Sequence, residues 1–347
     1  MPRALHLSLA LDGTGHRPAG SLPAAHWTDL ISLAEQGALD FVTVGDHLAP
    51  PPDDSADRID AVAALTHVAP LTRRIGLVPT VTTTDPFRAS TALAALDHVS
   101  DGRAGWLVDV SHSEAPAAEL WAEATDAAEV AVRLWDSRED DAETRDAATG
   151  PFVDRDRSHH LDFEGPHVSV RDPSTVPRPP QGRPPLAVAL DVHDSDGQWE
   201  LAASHADVVL LDADQPSTAW LARGALLRQA AEAGRAAEAL RVLVRVAVDL
   251  GGGTEPGALP PAELRFTGAA ADLAGLLADW HESTGVDGFH LLPTSAPTGL
   301  PAVVHDLVPA LRERGLFRAD YTGRTLRDHL GLPRPARRHD RDTEATR

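Results

Sequence analysis

Residues 75–90 read Ile75-Gly-Leu-Val-Pro-Thr-Val-Thr-Thr-Thr-Asp-Pro-Phe-Arg-Ala-Ser90, and residues 98–111 read His98-Val-Ser-Asp-Gly-Arg-Ala-Gly-Trp-Leu-Val-Asp-Val-Ser111. Ile75 to Val78 is a short apolar run of the kind a buried parallel strand shows. Thr80 to Thr84 set a row of hydroxyls where that strand is expected to end. Asp85 suits a helix N-cap and Pro86 the first helical position. Ala89, Leu93, Leu96 and Val99 then recur at helical spacing. Asp101-Gly102 stops the helix, and Trp106 to Val110 begins the next strand. The stretch is one strand–helix–strand unit.

The same alternation extends in both directions. Leu5 to Leu11 reads as strand one, and Trp27, Leu30, Ile31 and Ala34 form the stripe of the helix after it. Phe41 to Val44 is strand two and runs into Gly45-Asp46-His47; Ile59 to Val68 is helical. Leu120 to Trp135 is a long helix. From Asp136 to Pro185 charges, prolines and short alternating pieces such as His167 to Arg171 indicate an insertion carrying a hairpin. Strands return at Leu186 to Leu190, Asp207 to Leu211, Val242 to Val248 and Gly288 to Leu292. The loop Gly251-Gly-Gly253 follows the third of these. Leu273, Leu276, Leu277 and Trp280 mark one late helix, and Val304, Leu307, Val308 and Leu311 the last. About eight strand–helix pairs predict an α/β fold, the (β/α)8 TIM barrel, with an insertion between strands four and five. The domain is expected to span residues 1–332, with an Arg- and Asp-rich disordered tail over 333–347.

Composition narrows the chemistry. The 347 residues are 42 % hydrophobic but only 4 % aromatic, so the core must be mostly Leu, Val and Ala. A net charge of -21 argues against nucleic acid and anionic membrane as partners. Every basic residue is Arg, which removes a Schiff-base or Walker lysine; the absence of Cys removes disulfides, thiol nucleophiles and cysteine metal sites. With no signal peptide and no membrane-length apolar run, a cytoplasmic protein is expected.

A barrel of this kind carries its site at the C-terminal strand ends. Those ends hold Asp12, Asp46 with His47, Thr80 to Thr84, Asp109 with Ser111 and His112, Asp191 with His193 and Ser195, Asp212 and Asp249. Many of these Asp residues suit helix caps or loop amides as well as chemistry. His47 follows a strand directly and is the acid–base candidate by position. Gly13-Thr-Gly15 lacks the third glycine of a dinucleotide fingerprint, and His159-His160-Leu-Asp162 suits a polar turn better than a metal site.

The wording adds to the pattern. Ala34-Glu-Gln-Gly-Ala-Leu-Asp-Phe41, Thr80-Val-Thr-Thr-Thr84, Leu96-Asp-His-Val-Ser-Asp-Gly-Arg-Ala-Gly-Trp106, Leu134-Trp-Asp-Ser137, Pro180-Gln-Gly-Arg-Pro184, Asp287-Gly-Phe289, Pro309 to Arg318 and Tyr321 to Arg327 stand in order. Together they resemble the bacterial-luciferase-like flavin monooxygenases, in particular the nitrilotriacetate monooxygenase component A branch. The resemblance implies a TIM barrel, reduced FMN supplied by a separate flavin reductase, O2 chemistry on a small organic substrate, and a homodimer. It implies Asp46, Thr82 and Thr83 at the flavin ring and Ser195 and Gly197 at its phosphate; His47 or His112, at strand ends, are the residues expected to handle protons, and no metal is expected.

The chain also departs from that pattern. An Asn and a Thr of the family after strand four are Leu107 and Val110 here, and its His and Tyr on the following helix fall at Ala117 and Trp121. The family's serine-rich phosphate turn is Asp191-Val-His-Asp-Ser-Asp-Gly197, whose three carboxylates oppose an anion. Three readings stand: a flavin monooxygenase with an eroded, weak FMN site; a flavin-free homologue serving as a binding or partner subunit; and a metal hydrolase built on the acidic ring with His47, His112 and His193, which lacks any fixed ligand spacing.

Overall fold

Strand β1 (His6–Ala10) turns Leu7 and Leu9 outward into the main apolar core and Ser8 inward, the period-two alternation of a strand covered on both faces. The structure, a computed structural model, describes residues 4–11, 24–45, 60–110, 115–140, 159–161, 163–171, 173–250 and 260–337. After β1 come α1 (Ala24–Gln36), β2 (Phe41–Val44), α2 (Ala61–Val68), β3 (Gly76–Thr82), α3 (Pro86–Val99), β4 (Trp106–Asp109) and α4 (Ala117–Asp136). The insertion carries an antiparallel hairpin of β5 (Phe163–Glu164) and β6 (Ser169–Val170). Then follow β7 (Leu186–Asp191), α5 (Asp196–His205), β8 (Val208–Asp212), α6 (Pro216–Glu232), β9 (Arg241–Asp249), β10 (Leu264–Thr267), α7 (Ala270–Thr284), β11 (Gly288–Pro293), α8 (Ala296–Ala302), α9 (Val308–Glu313) and α10 (Leu326–His329).

Parallel pairing runs β1-β2-β3-β4-β7-β8-β9-β11, and β11 pairs back with β1. That closes the expected eight-stranded TIM barrel, with the insertion between its fourth and fifth strands. The extra strand β10 was not foreseen. It pairs with the far end of β9, from Val246 to Asp249, beyond the reach of β8, which pairs with Arg241 to Val244.

One expectation needs correction. Strand β3 continues to Thr82 rather than stopping at Val78, so Thr80 is a buried residue of the barrel wall and only Thr83 and Thr84 form the turn. β-Branched threonines suit a pleated surface, and Thr80 and Thr82 pair in register with Leu107 and Asp109. The helix start is as read: the Asp85 side chain accepts the Arg88 N–H at 3.0 Å and Pro86 opens α3.

Most of the distinctive wording lies at the N-terminal end of the barrel, where it holds the base together. Glu35 Oε1 accepts the amides of Arg73, Arg74 and Ile75 at 2.6–3.0 Å. Asp40 accepts from Leu7 N, Arg318 and the His6 ring. Buried Asp97 accepts from Ala104 N and from the Gln181 amide and side chain. Arg103 donates to Ser100 O, Ile75 O, Ala69 O, Thr72 O and Thr72 Oγ1. Trp135 Nε1 donates to Ser90 O, and Asp136 pairs with Arg178 and Arg183.

The C-terminal segment plugs this end. Leu326, Leu330 and Leu332 pack against Phe41, Val78, Ala187, Val208 and Leu243 in the barrel floor, Arg327 bonds both oxygens of Asp207, and Arg241 donates to Leu330 O and Gly331 O. Pro335 and Ala336 accept from Arg178 and Arg183, so the first residues after Pro333 lie along the base. At Gly288 an added Cβ would sit 2.0 Å from His6 O, which explains glycine in the Asp287-Gly-Phe289 motif.

Candidate functional site

The mouth of the barrel is built from the ends of β3, β4, β7, β8 and β9. Thr82 closes β3, with its hydroxyl 3.2 Å from that of Thr84, and Thr83 is buried in the turn beside them. Asp109 ends β4 and accepts the Val110 N–H at 2.9 Å. Asp191 ends β7 opposite Asp212 on β8. Ser195 is the N-cap of α5, its side chain accepting the Gln198 N–H, and Gly197 lies in the first turn of that helix. Thr82 and Thr83 therefore share one face of the barrel with Ser195 and Gly197, with β4 between the two groups. Asp46, His47 and His112 lie outside the described residues, as does the loop 251–259.

The turn after β7 bonds to itself. Asp194 Oδ2 accepts the Asp191 N–H at 2.6 Å, and Asp191 Oδ1 accepts the His193 N–H at 2.7 Å. The Asp194 N–H reaches Asp191 O at 3.2 Å. Trp199 Nε1 donates to Asp191 O at 3.2 Å. Burial raises the Asp194 carboxyl above its ordinary range, and the neighbouring Asp191 charge adds to this. The first turn of α5 packs on the first turn of α4: a Cβ added to Gly197 would lie 3.3 Å from both Ala118 O and Trp121 Cβ.

Below the rim lies a polar layer that the sequence reading did not single out. His290 on β11 is buried; its Nδ1 is 2.8 Å from Ser8 Oγ and its Nε2 3.4 Å from Thr43 Oγ1. Its ring stacks on Phe41 at a centroid distance of 6.1 Å. Burial, helped by the positive charge of Arg245, pushes the His290 pKa down to about 3, so the ring is neutral. Arg245 on β9 pairs with Asp212 and donates to Pro261 O at 3.2 Å. Burial raises the Asp212 carboxyl; Arg245 opposes the shift and Asp191 adds to it. One signal for both was present in the sequence. Arg245 and His290 break two otherwise apolar strands, and a barrel strand has room for such side chains only on its inner face.

A groove of about 860 Å³ opens at the opposite end, among Asp136, Arg183, His205, Asp207, Arg235 and Arg327. Its acids and arginines serve the scaffold: Asp136 binds Arg183, Asp207 binds Arg327, and Arg235 caps the carbonyls Ala203 O and Ala206 O. Strand ends, not strand starts, carry chemistry in this fold, so the mouth is the candidate site. Among the described residues no three His, Asp or Glu side chains are grouped to hold a metal, and His159 instead bonds Glu139 at 3.1 Å. No helix among them is long and apolar enough to cross a membrane.

The profile of the luciferase-like monooxygenases matches residues 5–252. The chain is 28 % identical to N-acetyl-S-(2-succino)cysteine monooxygenase of Bacillus subtilis (strain 168), over 97 % of this chain and 98 % of that protein. It is 30 % identical to nitrilotriacetate monooxygenase component A of Aminobacter aminovorans, over 92 % of each. In structure it resembles a long-chain alkane monooxygenase, with a TM-score of 0.83 and 21 % identity over 95 % of this chain and 96 % of the other, which bears on the fold alone. The first of these alignments runs over 437 positions against a chain of 347 residues, so at least 90 positions face gaps in this chain. All eight barrel strands are present, which puts the shortening in the connections.

Proposed function

The chain belongs to the luciferase-like monooxygenase family, and from that premise we propose that it is the oxygenase of a two-component system, using reduced flavin from a separate reductase to oxidise a small organic substrate. The observation that carries this reading is the family match over residues 5–252, on a closed barrel whose mouth keeps the threonine row of β3. In this reading Asp46, Thr82 and Thr83 flank the flavin ring, and His47 or His112 handles protons at the substrate. The protein works in the cytoplasm as a homodimer.

The described residues fit the two ends of FMN differently. At the ring end, Thr82 and Thr83 offer two hydroxyls, while Leu107, paired with Thr80, packs against the floor cluster. The phosphate end does not fit. The amides of Asp191 and His193 already bond the carboxylates of Asp194 and Asp191, and Gly197 is pressed against α4. Ser195 and Gly197, expected at the phosphate, are the surviving pieces of a turn that holds itself closed. That self-bonding favours a second reading, a barrel without flavin that acts as a binding or partner subunit.

The two readings part on one experiment. The full chain is supplied with a flavin reductase, NADH, flavin and 18O2, and offered small thioethers, sulfones and aminopolycarboxylates. Mass spectrometry then looks for a product carrying a single 18O. Product that depends on the chain supports the oxygenase; no product and no binding of reduced flavin supports the flavin-free subunit.

A further inference from the structure

The disagreement at the phosphate end points to a ligand preference. Resting on the oxygenase reading above, we infer that the mouth of this barrel takes a flavin without a terminal phosphate, riboflavin in its reduced form, in preference to FMN. Three separate features of the structure support this.

The first is donor supply. A phosphate needs N–H or O–H donors, and a helix N-terminus normally offers its free amides. Here Asp194 Oδ2 has taken the Asp191 N–H, Asp191 Oδ1 the His193 N–H, and Ser195 the Gln198 N–H, so the donors of this end come down to the first-turn amides of Asp196 and Gly197. The second is charge. Asp191, Asp194, Asp196 and Asp212 surround the turn, and the cation among the described residues that faces them, Arg245, is already paired with Asp212. The third is space. The first turn of α4 brings Ala118 O and Trp121 Cβ within 3.3 Å of where a Gly197 Cβ would lie, so α4 closes one side of this helix end and sets an acceptor oxygen beside it.

The same groups suit a ribityl chain. Carboxylates accept hydrogen bonds and cannot donate them; the hydroxyls of ribitol are donors, whereas a phosphate dianion has only acceptors to offer. Asp191, Asp194 and Asp109 therefore match the uncharged tail and oppose the charged one. The ring end, with Thr82 and Thr83, makes no distinction between the two flavins.

The test is an anaerobic titration of the full-length chain with dithionite-reduced riboflavin and with reduced FMN, followed by tryptophan fluorescence at low and high salt. Reduced riboflavin is expected to bind about tenfold tighter or more at low salt, with the gap narrowing as salt screens the carboxylates. Asp194→Asn keeps an oxygen for the Asp191 N–H, so the turn keeps its shape, which a circular-dichroism melt verifies. In that variant FMN should bind several-fold tighter while riboflavin, which loses one acceptor for its hydroxyls, should gain nothing, so the preference for riboflavin shrinks. Equal or tighter binding of FMN to the natural chain overturns the inference and leaves the oxygenase reading standing. Failure of both flavins to bind overturns the inference and the oxygenase reading together. An unchanged FMN affinity in Asp194→Asn overturns the role given to that carboxylate.

Discussion

Replacing Arg103 with lysine is expected to cost the fold about 3–6 kcal/mol without touching the candidate site. Arg103 is buried in the base of the barrel and uses all its N–H groups: Nε donates to Ser100 O at 2.7 Å, Nη1 to Thr72 Oγ1 and Ile75 O, and Nη2 to Ala69 O and Thr72 O. A lysine ammonium has three donors on a point, where the guanidinium spreads five over a plane. Two of the five acceptors at least lose their partner, and a hydrogen bond to a charged group is worth roughly 1.5–3 kcal/mol. Against a total stability of about 5–15 kcal/mol this is a large fraction, and the thermal midpoint should fall by on the order of 10 °C. Urea unfolding at 25 °C and calorimetry measure the loss. Flavin affinity, read well below the transition, should not change, because the residue lies at the end of the barrel away from the mouth. A loss under about 1 kcal/mol would refute the view that this motif is structural.

Three further outcomes are expected. Acid should destabilise the protein through His290, whose pKa falls from 6.5 unfolded to about 3 folded: its contribution is complete above 6.5 and is lost as pH falls towards 3, by up to about 1.4 kcal/mol per unit. His329, pushed down to about 4 by burial, acts in the same direction, and Asp97, raised to about 6 by burial, acts in the opposite one between 6 and 3.8, so the check is the difference in slope between the natural chain and His290→Gln in urea unfolding at pH 7, 6 and 5. Gly102→Ala should destabilise by about 2 kcal/mol, since Gly102 has φ +86° and the new Cβ would meet Thr325 Cγ2 at 2.9 Å; a thermal shift of less than a degree would contradict this. Arg245→Met should release the entry to β10, because Arg245 holds Pro261 O and its partner Asp212 accepts the Glu263 N–H; amide exchange over residues 261–267 should rise while α10 stays protected.

The barrel was legible because a parallel strand covered on both faces writes a continuous apolar run, and because each helix between strands writes a stripe. Asp85 and Pro86 marked a helix start to the residue. The end of β3 was misplaced, since Thr80 and Thr82 are as good in a strand as at its end. The site was harder to read. The residues that carried the resemblance, among them Asp97, Arg103, Asp136, Gln181 and Arg327, turn out to hold the base, where their hydrogen bonds require fixed residue types. Conserving a scaffold and conserving a reaction leave similar marks on a sequence, and only position in the barrel separates them. Arg245 and His290 were missed because an inward-facing polar residue is one letter in an apolar run. The acidic turn was visible as composition, but its bonds from Asp194 to Asp191 and from Asp191 to His193 are properties of three dimensions.

A flavin site at the mouth with no phosphate anchor should be visible in a crystal structure of the full chain soaked in riboflavin and, separately, in FMN. The riboflavin ring is expected against Thr82 and Thr83, with its tail lying among Asp109, Asp191 and Asp194. An ordered FMN phosphate on the turn from Asp191 to Gly197, or a flavin seated in the groove beside Arg235 and Arg327, would contradict it.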